Sequence, residues 1–123
     1  MRPGENEHQY IGRFLSIVKN FARIHNIWIG LVVHPIKITK DLDGEYLVPG
    51  AYSLSGSSHW RNKADNILCV YRKLVSPDGV VSVYVQKIRS KLLGTTGEAK
   101  FTWDKTSGRF SPLSDKVPYL DGE

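Results

Sequence analysis

The run IWIGLVV at residues 27–33 is apolar on both alternating sets of positions. Side chains on a strand alternate between faces, so a strand of this composition has to be covered on both sides. The reading is a central buried strand, ended by His34 and Pro35, because proline cannot donate a ladder hydrogen bond. Immediately before it, Ile11, Phe14, Leu15, Val18, Phe21 and Ala22 recur at helical spacing between residues 7 and 24. Arg13, Lys19, Asn20 and Arg23 fall mainly on the opposite side, which predicts a helix with one buried face. Asn26 is its expected stop, since asparagine tolerates the left-handed conformation that ends many helices.

The next segment, residues 36–55, carries Lys37, Lys40, Asp41, Asp43, Gly44, Glu45, Pro49 and Gly50 and reads as a long loop. Loops of that length are usually functional or mobile. Residues 57–65 (SSHWRNKAD) predict a short helix opened by a serine cap. Residues 66–72 (NILCVYR) and 80–88 (VVSVYVQKI) predict two strands around a strong turn signal, SPDG at 76–79. Gly94-Thr95-Thr96-Gly97 breaks the pattern, residues 98–103 form another short strand, and residues 104–108 turn into Arg109 and Phe110. A polar tail or linker is expected over 111–123. The order predicts an α/β class, with α/β character in the first half and an antiparallel hairpin region in the second.

With 123 residues the chain is one domain or part of one. Seventeen Lys and Arg stand against twelve Asp and Glu, a net charge of +5 that favours polyanionic partners. The single cysteine, Cys69, excludes an intramolecular disulfide framework and a cysteine-based zinc site. Inside an apolar strand it is expected to be an inert buried thiol, and Trp28 and Trp103 are expected in the core. No apolar run approaches the roughly 20 residues that span a bilayer, and the N-terminus has no basic-then-apolar signal pattern. A cytoplasmic protein without a membrane partner is the expectation.

Four features could carry chemistry. His34 sits at the carboxyl end of the expected strand, where ligands gather in open α/β sheets; the plainer reading is a satisfied histidine at a strand end. Lys87, Arg89 and Lys91 are spaced by two, so strand alternation would put them on one face able to bind phosphate; a charged, protective edge strand has the same pattern. Gly94 and Gly97 could let backbone N–H groups approach an anion, or simply form a turn. His59, Trp60, Arg61, Asn62 and Lys63 combine basic and aromatic groups suited to single-stranded nucleic acid, or form a surface helix whose Trp60 packs inward. The phosphate-loop pattern GxxxxGK[ST] does not occur in these 123 residues, nor does an apolar strand ending in aspartate that could hold magnesium.

Three blocks in order, VVHPIK at 32–37, LSGSSHWRNKADNILCVYR at 54–72 and VQKIRSKLLGTTGEAKFTWDKTSGRF at 85–110, resemble the last part of the RecA-like motor of replicative ring helicases. The likeness is greatest to phage-type primase–helicases and mitochondrial Twinkle, and more distant to bacterial DnaB. It covers roughly residues 7 to 110, which would be the C-terminal portion of the motor domain.

The resemblance implies a partial RecA-like P-loop NTPase core, with the phosphate loop, catalytic glutamate and magnesium aspartate upstream of residue 1. It implies that His34 senses the γ-phosphate and that Lys87 and Arg89 reach a neighbouring subunit's ATP as a trans-acting finger. Arg61 and Asn62 match an Arg-Gln pair that couples nucleotide state to the DNA loops, with the shorter Asn62 in place of Gln. Gly94 and Gly97 match conformational glycines after the finger. The 36–55 loop and the Ser55-Gly56-Ser57 turn match channel loops, with Lys37, Lys40, Gly56, Ser57 and Lys63 as DNA contacts. ATP and magnesium would belong to the parent helicase only, and this chain alone is expected to be inactive. Single-stranded DNA and the neighbouring subunits of a homo-oligomeric ring are the implied partners. The implied neighbours of the 27–33 strand are also missing, so that segment must pair anew, swap between copies or stay incomplete. The alternatives are a stand-alone basic nucleic-acid-binding module, such as a prophage remnant without ATPase activity, and a subunit that docks on an intact helicase.

Overall fold

A computed structural model describes residues 1–36, 38–75 and 78–113. Helix α1 spans Glu7–His25. Its start is fixed by a capping box: the Asn6 side chain accepts from the Gln9 backbone N–H at 2.8 Å, and the Gln9 side chain accepts from the Asn6 N–H at 3.0 Å. Arg13 grips Glu5 through Nε and Nη2 at 2.8 and 3.0 Å. Those hydrogen bonds, with the Arg2 N–H, pull the Glu5 carboxyl down to about 2. The helix ends as expected on Asn26, which is left-handed at φ 51°.

Helix α2, Ser57–Lys63, starts differently from the expectation. Its cap is Gly56, not a serine, and no side chain caps it; Ser57 is its first helical residue. A single 3-10 turn, Ala51–Ser53, precedes it.

Four strands follow: β1 Asn66–Arg72, β2 Val80–Ile88, β3 Gly97–Trp103 and β4 Phe110–Pro112. They form one antiparallel sheet in the order β1-β2-β3-β4, each strand pairing with the next in sequence. Expected and observed limits of the first two agree. The third begins one residue earlier, at Gly97, and Pro112 sits in the short edge strand β4, where a missing N–H is tolerated. Of the SPDG turn, Ser76 and Pro77 lie outside the described residues; Gly79 is left-handed and the Val80 N–H bonds Asp78 Oδ1. The 104–108 turn closes on Asp104, whose carboxylate accepts from the Thr106 N–H and the Ser107 hydroxyl.

The expected strand at 27–33 is not there. The segment is irregular, with Trp28 84% and Val32 91% exposed. The reason is pairing: a strand needs a ladder partner, and the four strands find theirs across short turns, which close at lower entropic cost than a distant pairing. Within one chain the segment finds no ladder partner among the described residues. The core expectation for tryptophan fails with it, since Trp103 is also exposed.

The buried set among the described residues is small: Leu15, Ala51 and Val81, with Gly12, Glu45 and Ser82. Helix α1 packs on α2, and α2 on the 3-10 turn, rather than on the sheet. The 38–55 segment is joined to the sheet at Tyr71, which bonds the Tyr46 carbonyl, and at Gln86, which bonds the Pro49 carbonyl. The sheet face opposite Tyr71 carries Leu68, Val70, Val83 and Val85, paired across β1 and β2, with Leu68 and Val70 exposed. Cys69 is half-buried, and burial pushes its thiol pKa up, as befits an inert side chain.

Candidate functional site

The helical layer and the sheet meet at the C-terminal end of α2. Lys87 near the end of β2 donates from Nζ to the Arg61 carbonyl at 2.5 Å. Arg89, one residue past the strand, donates from Nη2 to the carbonyls of Asn62 (2.7 Å) and Ala64 (3.3 Å), and its Nε lies 3.0 Å from Asp65 Oδ1. Carbonyls at the end of a helix lack intrahelical partners and carry partial negative charge, so cations settle there. Lys87 is held below its usual pKa by burial and then by Arg89 and Lys19.

A β-bulge shapes this end of the strand. Ile67 pairs with Lys87 but Leu68 with Val85, so Gln86 is the extra residue. Bulges re-aim side chains, and Gln86 Nε2 donates to the Pro49 carbonyl at 2.8 Å. Between strand, loop and helix opens a cleft of about 420 Å3, lined by Tyr52, Arg61, Asn62, Gln86 and Lys87 with the Gly50–Ala51 backbone. The Arg61 guanidinium stacks over the Tyr52 ring, 4.2 Å from its centroid. The arrangement offers two cations, Arg61 and Lys87, and two amides, Asn62 and Gln86, to an anionic or polar ligand.

The structure thus brings Arg61, Asn62, Lys87 and Arg89 together. The expectation that strand alternation puts Lys87, Arg89 and Lys91 on one face is corrected: β2 ends at Ile88, Lys91 stands in the following turn, and only the first two come together, on α2. His34 is exposed on the irregular segment, not at a strand end, and no hydrogen bond or ion pair joins it to another described residue. Gly94 and Gly97 use no left-handed conformation, so neither needs to be glycine for its φ.

The DNA-contact candidates are dispersed. Lys37 lies outside the described residues. Lys40 forms an isolated bridge with Tyr46 and places Nζ over that ring at 4.9 Å. Lys63 reaches the Gly12 carbonyl at 3.2 Å and the Ser16 hydroxyl, so it ties α2 to α1. His59 packs over Gly12, where a Cβ would stand 2.6 Å from the ring, and stacks on His8 at 4.2 Å. Burial, then His8 and Lys63, push its pKa down. Trp60 is half-buried, its Nε1 donating to the Ser55 carbonyl, which fits the inward-packing reading.

The loop is lashed to the sheet. The buried Glu45 carboxylate accepts the Leu74 N–H at 3.1 Å and the Val75 N–H, Tyr71 donates its hydroxyl to the Tyr46 carbonyl, and the Ile36 N–H bonds the Ser53 carbonyl. Tyr52, Asp65 and Gln86 were not singled out from sequence. Asp65 alone had a local signal, an acid directly after a basic helix.

No protein-family model matches the chain. The chain is 33% identical over 121 residues to "Twinkle homolog protein, chloroplastic/mitochondrial" of Arabidopsis thaliana. The match takes in 94% of this chain and 17% of that protein, so the chain spans about a sixth of its relative's length. The likeness supports a relationship of the helicase–primase type that the motif blocks implied. No helix among the described residues is long and apolar enough to cross a membrane.

Proposed function

We propose that these residues serve as the C-terminal portion of the motor of an ATP-driven replicative DNA helicase of the primase–helicase type. The observation that carries this reading is the match over 94% of the chain to the Twinkle homolog. Arg61 and Lys87 at one cleft, with Arg89 on the neighbouring end of α2, add chemical support. In this reading Lys87 and Arg89 stabilise charge on a phosphoryl group transferring in a neighbouring subunit. His34 senses the γ-phosphate, Arg61 and Asn62 couple nucleotide state to the 36–55 loop, and that loop holds single-stranded DNA.

The residues present fit the phosphate end of a nucleotide. Among the described residues no three His, Cys, Asp or Glu stand together as a metal site. In this reading magnesium, the phosphate loop and the catalytic carboxylate are supplied by the rest of the parent, since GxxxxGK[ST] does not occur in these 123 residues. The alternative of a stand-alone basic binding module has less support, because the match to the Twinkle homolog runs over 94% of the chain.

The test is Arg89→Ala in the intact parent. ATP turnover should fall by about a thousandfold, the scale of a lost arginine finger, while equilibrium nucleotide binding stays within a few fold. Turnover at the parental rate would remove the finger assignment.

A further inference from the structure

We infer that Asp65 is a positioning residue that parks Arg89 away from its anionic target, so that the cation is released only when a phosphate chain competes for it. The inference rests on the finger reading of Arg89. In the structure the guanidinium is committed: Nε to Asp65 Oδ1 at 3.0 Å, and Nη2 to the Asn62 and Ala64 carbonyls. A guanidinium binds phosphate best through a fork of two parallel N–H groups. Here the donors of that fork face the end of α2.

Three features make this a latch rather than a rigid joint. Both side chains are about half exposed, 45% for Arg89 and 58% for Asp65, and ion pairs so exposed hold weakly. A tripolyphosphate carries several charges against one on the carboxylate, so it can outcompete Asp65. The Arg89 backbone N–H is separately held by the Asp65 carbonyl at 2.9 Å, so the side chain can swing about a fixed main-chain pivot. The same Oδ1 also takes Lys19 from α1 at 3.3 Å, which ties the parked state to the seating of α1 on α2.

The experiment titrates inorganic tripolyphosphate into the full 123-residue chain at low salt, by calorimetry and by the Arg89 Nε–H resonance. Asp65→Asn should tighten binding about fivefold, the scale of one exposed ion pair. Asp43→Asn, which makes the same charge change on the 38–55 loop, should show only the small general effect of charge. Asp65→Glu should behave as the unmutated chain, and Arg89→Gln should erase the gain from Asp65→Asn. In the unmutated chain the Nε–H signal should be protected from exchange before ligand is added and shift as it binds.

Equal affinities for Asp65→Asn and Asp43→Asn, with Arg89→Gln still weakening binding, would overturn the latch and leave the finger standing. No effect of Arg89→Gln in either background would also overturn the latch, because Arg89 would then not be the group that Asp65 withholds, while turnover of the Arg89→Ala parent decides the finger separately. An Nε–H signal already in free exchange in the unmutated chain overturns parking without any variant.

Discussion

Gly56 is constrained twice. It caps α2 in the left-handed region at φ 70°, and a Cβ there would stand 2.9 Å from Ile11 Cδ1. Gly56→Ala should therefore lower unfolding stability by about 1–3 kcal/mol, read from urea denaturation, through backbone strain and the clash with α1 together. His59 gives a second prediction, with a sign. Its pKa is depressed in the folded chain from 6.5 by burial, by His8 and by Lys63, so the unfolded chain takes up the proton more readily. The stability it contributes is complete above pH 6.5 and is lost as pH falls through the folded value. The urea midpoint should fall between pH 7 and 5, and His59→Asn should flatten that slope. From sequence, Gly56 and His59 were legible as members of a candidate nucleic-acid surface. Their structural duties were not, because both depend on α1 lying across α2, a contact between residues some fifty positions apart.

At the scale of elements, strands β1 and β2 were readable to the residue, since alternation and the SPDG signal are local. The segment at 27–33 was misread because its apolar pattern reports what covers a strand, and no local pattern reports whether a ladder partner is present. The 36–55 loop was readable as a loop but not as one fastened down. Glu45 is its principal fastening, a buried carboxylate on the backbone N–H groups of Leu74 and Val75. Glu45→Ala should cost about 2 kcal/mol of stability, the scale of leaving such donors unpaired. It should also raise amide exchange at residues 39–47 ahead of the rest of the chain.

For the whole molecule, the ratio of buried to exposed apolar groups matters most. Leu15, Ala51 and Val81 form the buried apolar set among the described residues, while Ile17, Phe21, Ile24, Trp28 and Val32 lie at the surface. Exposed apolar side chains promote association where they gather into a patch. The double variant Trp28→Lys and Val32→Lys should reduce concentration-dependent light scattering. It should move the unfolding free energy by less than about 0.5 kcal/mol, because both side chains are largely exposed. An unmoved scattering profile would place the adhesive surface elsewhere.

The order of the sheet has a kinetic consequence. Each strand pairs with its successor, so loop closure in the second half of the chain spans short distances along the sequence. Domains built from such near-neighbour pairings reach their native state quickly, and distant contacts come later. The meander should condense first as a nucleus, with α1 docking on α2 as the slow step, because the Lys63 to Gly12 link closes 51 residues at once. Chain order in synthesis runs the other way: α1 leaves the ribosome before β1 to β4, and its Gly12 and Leu15 side must wait for α2 to emerge.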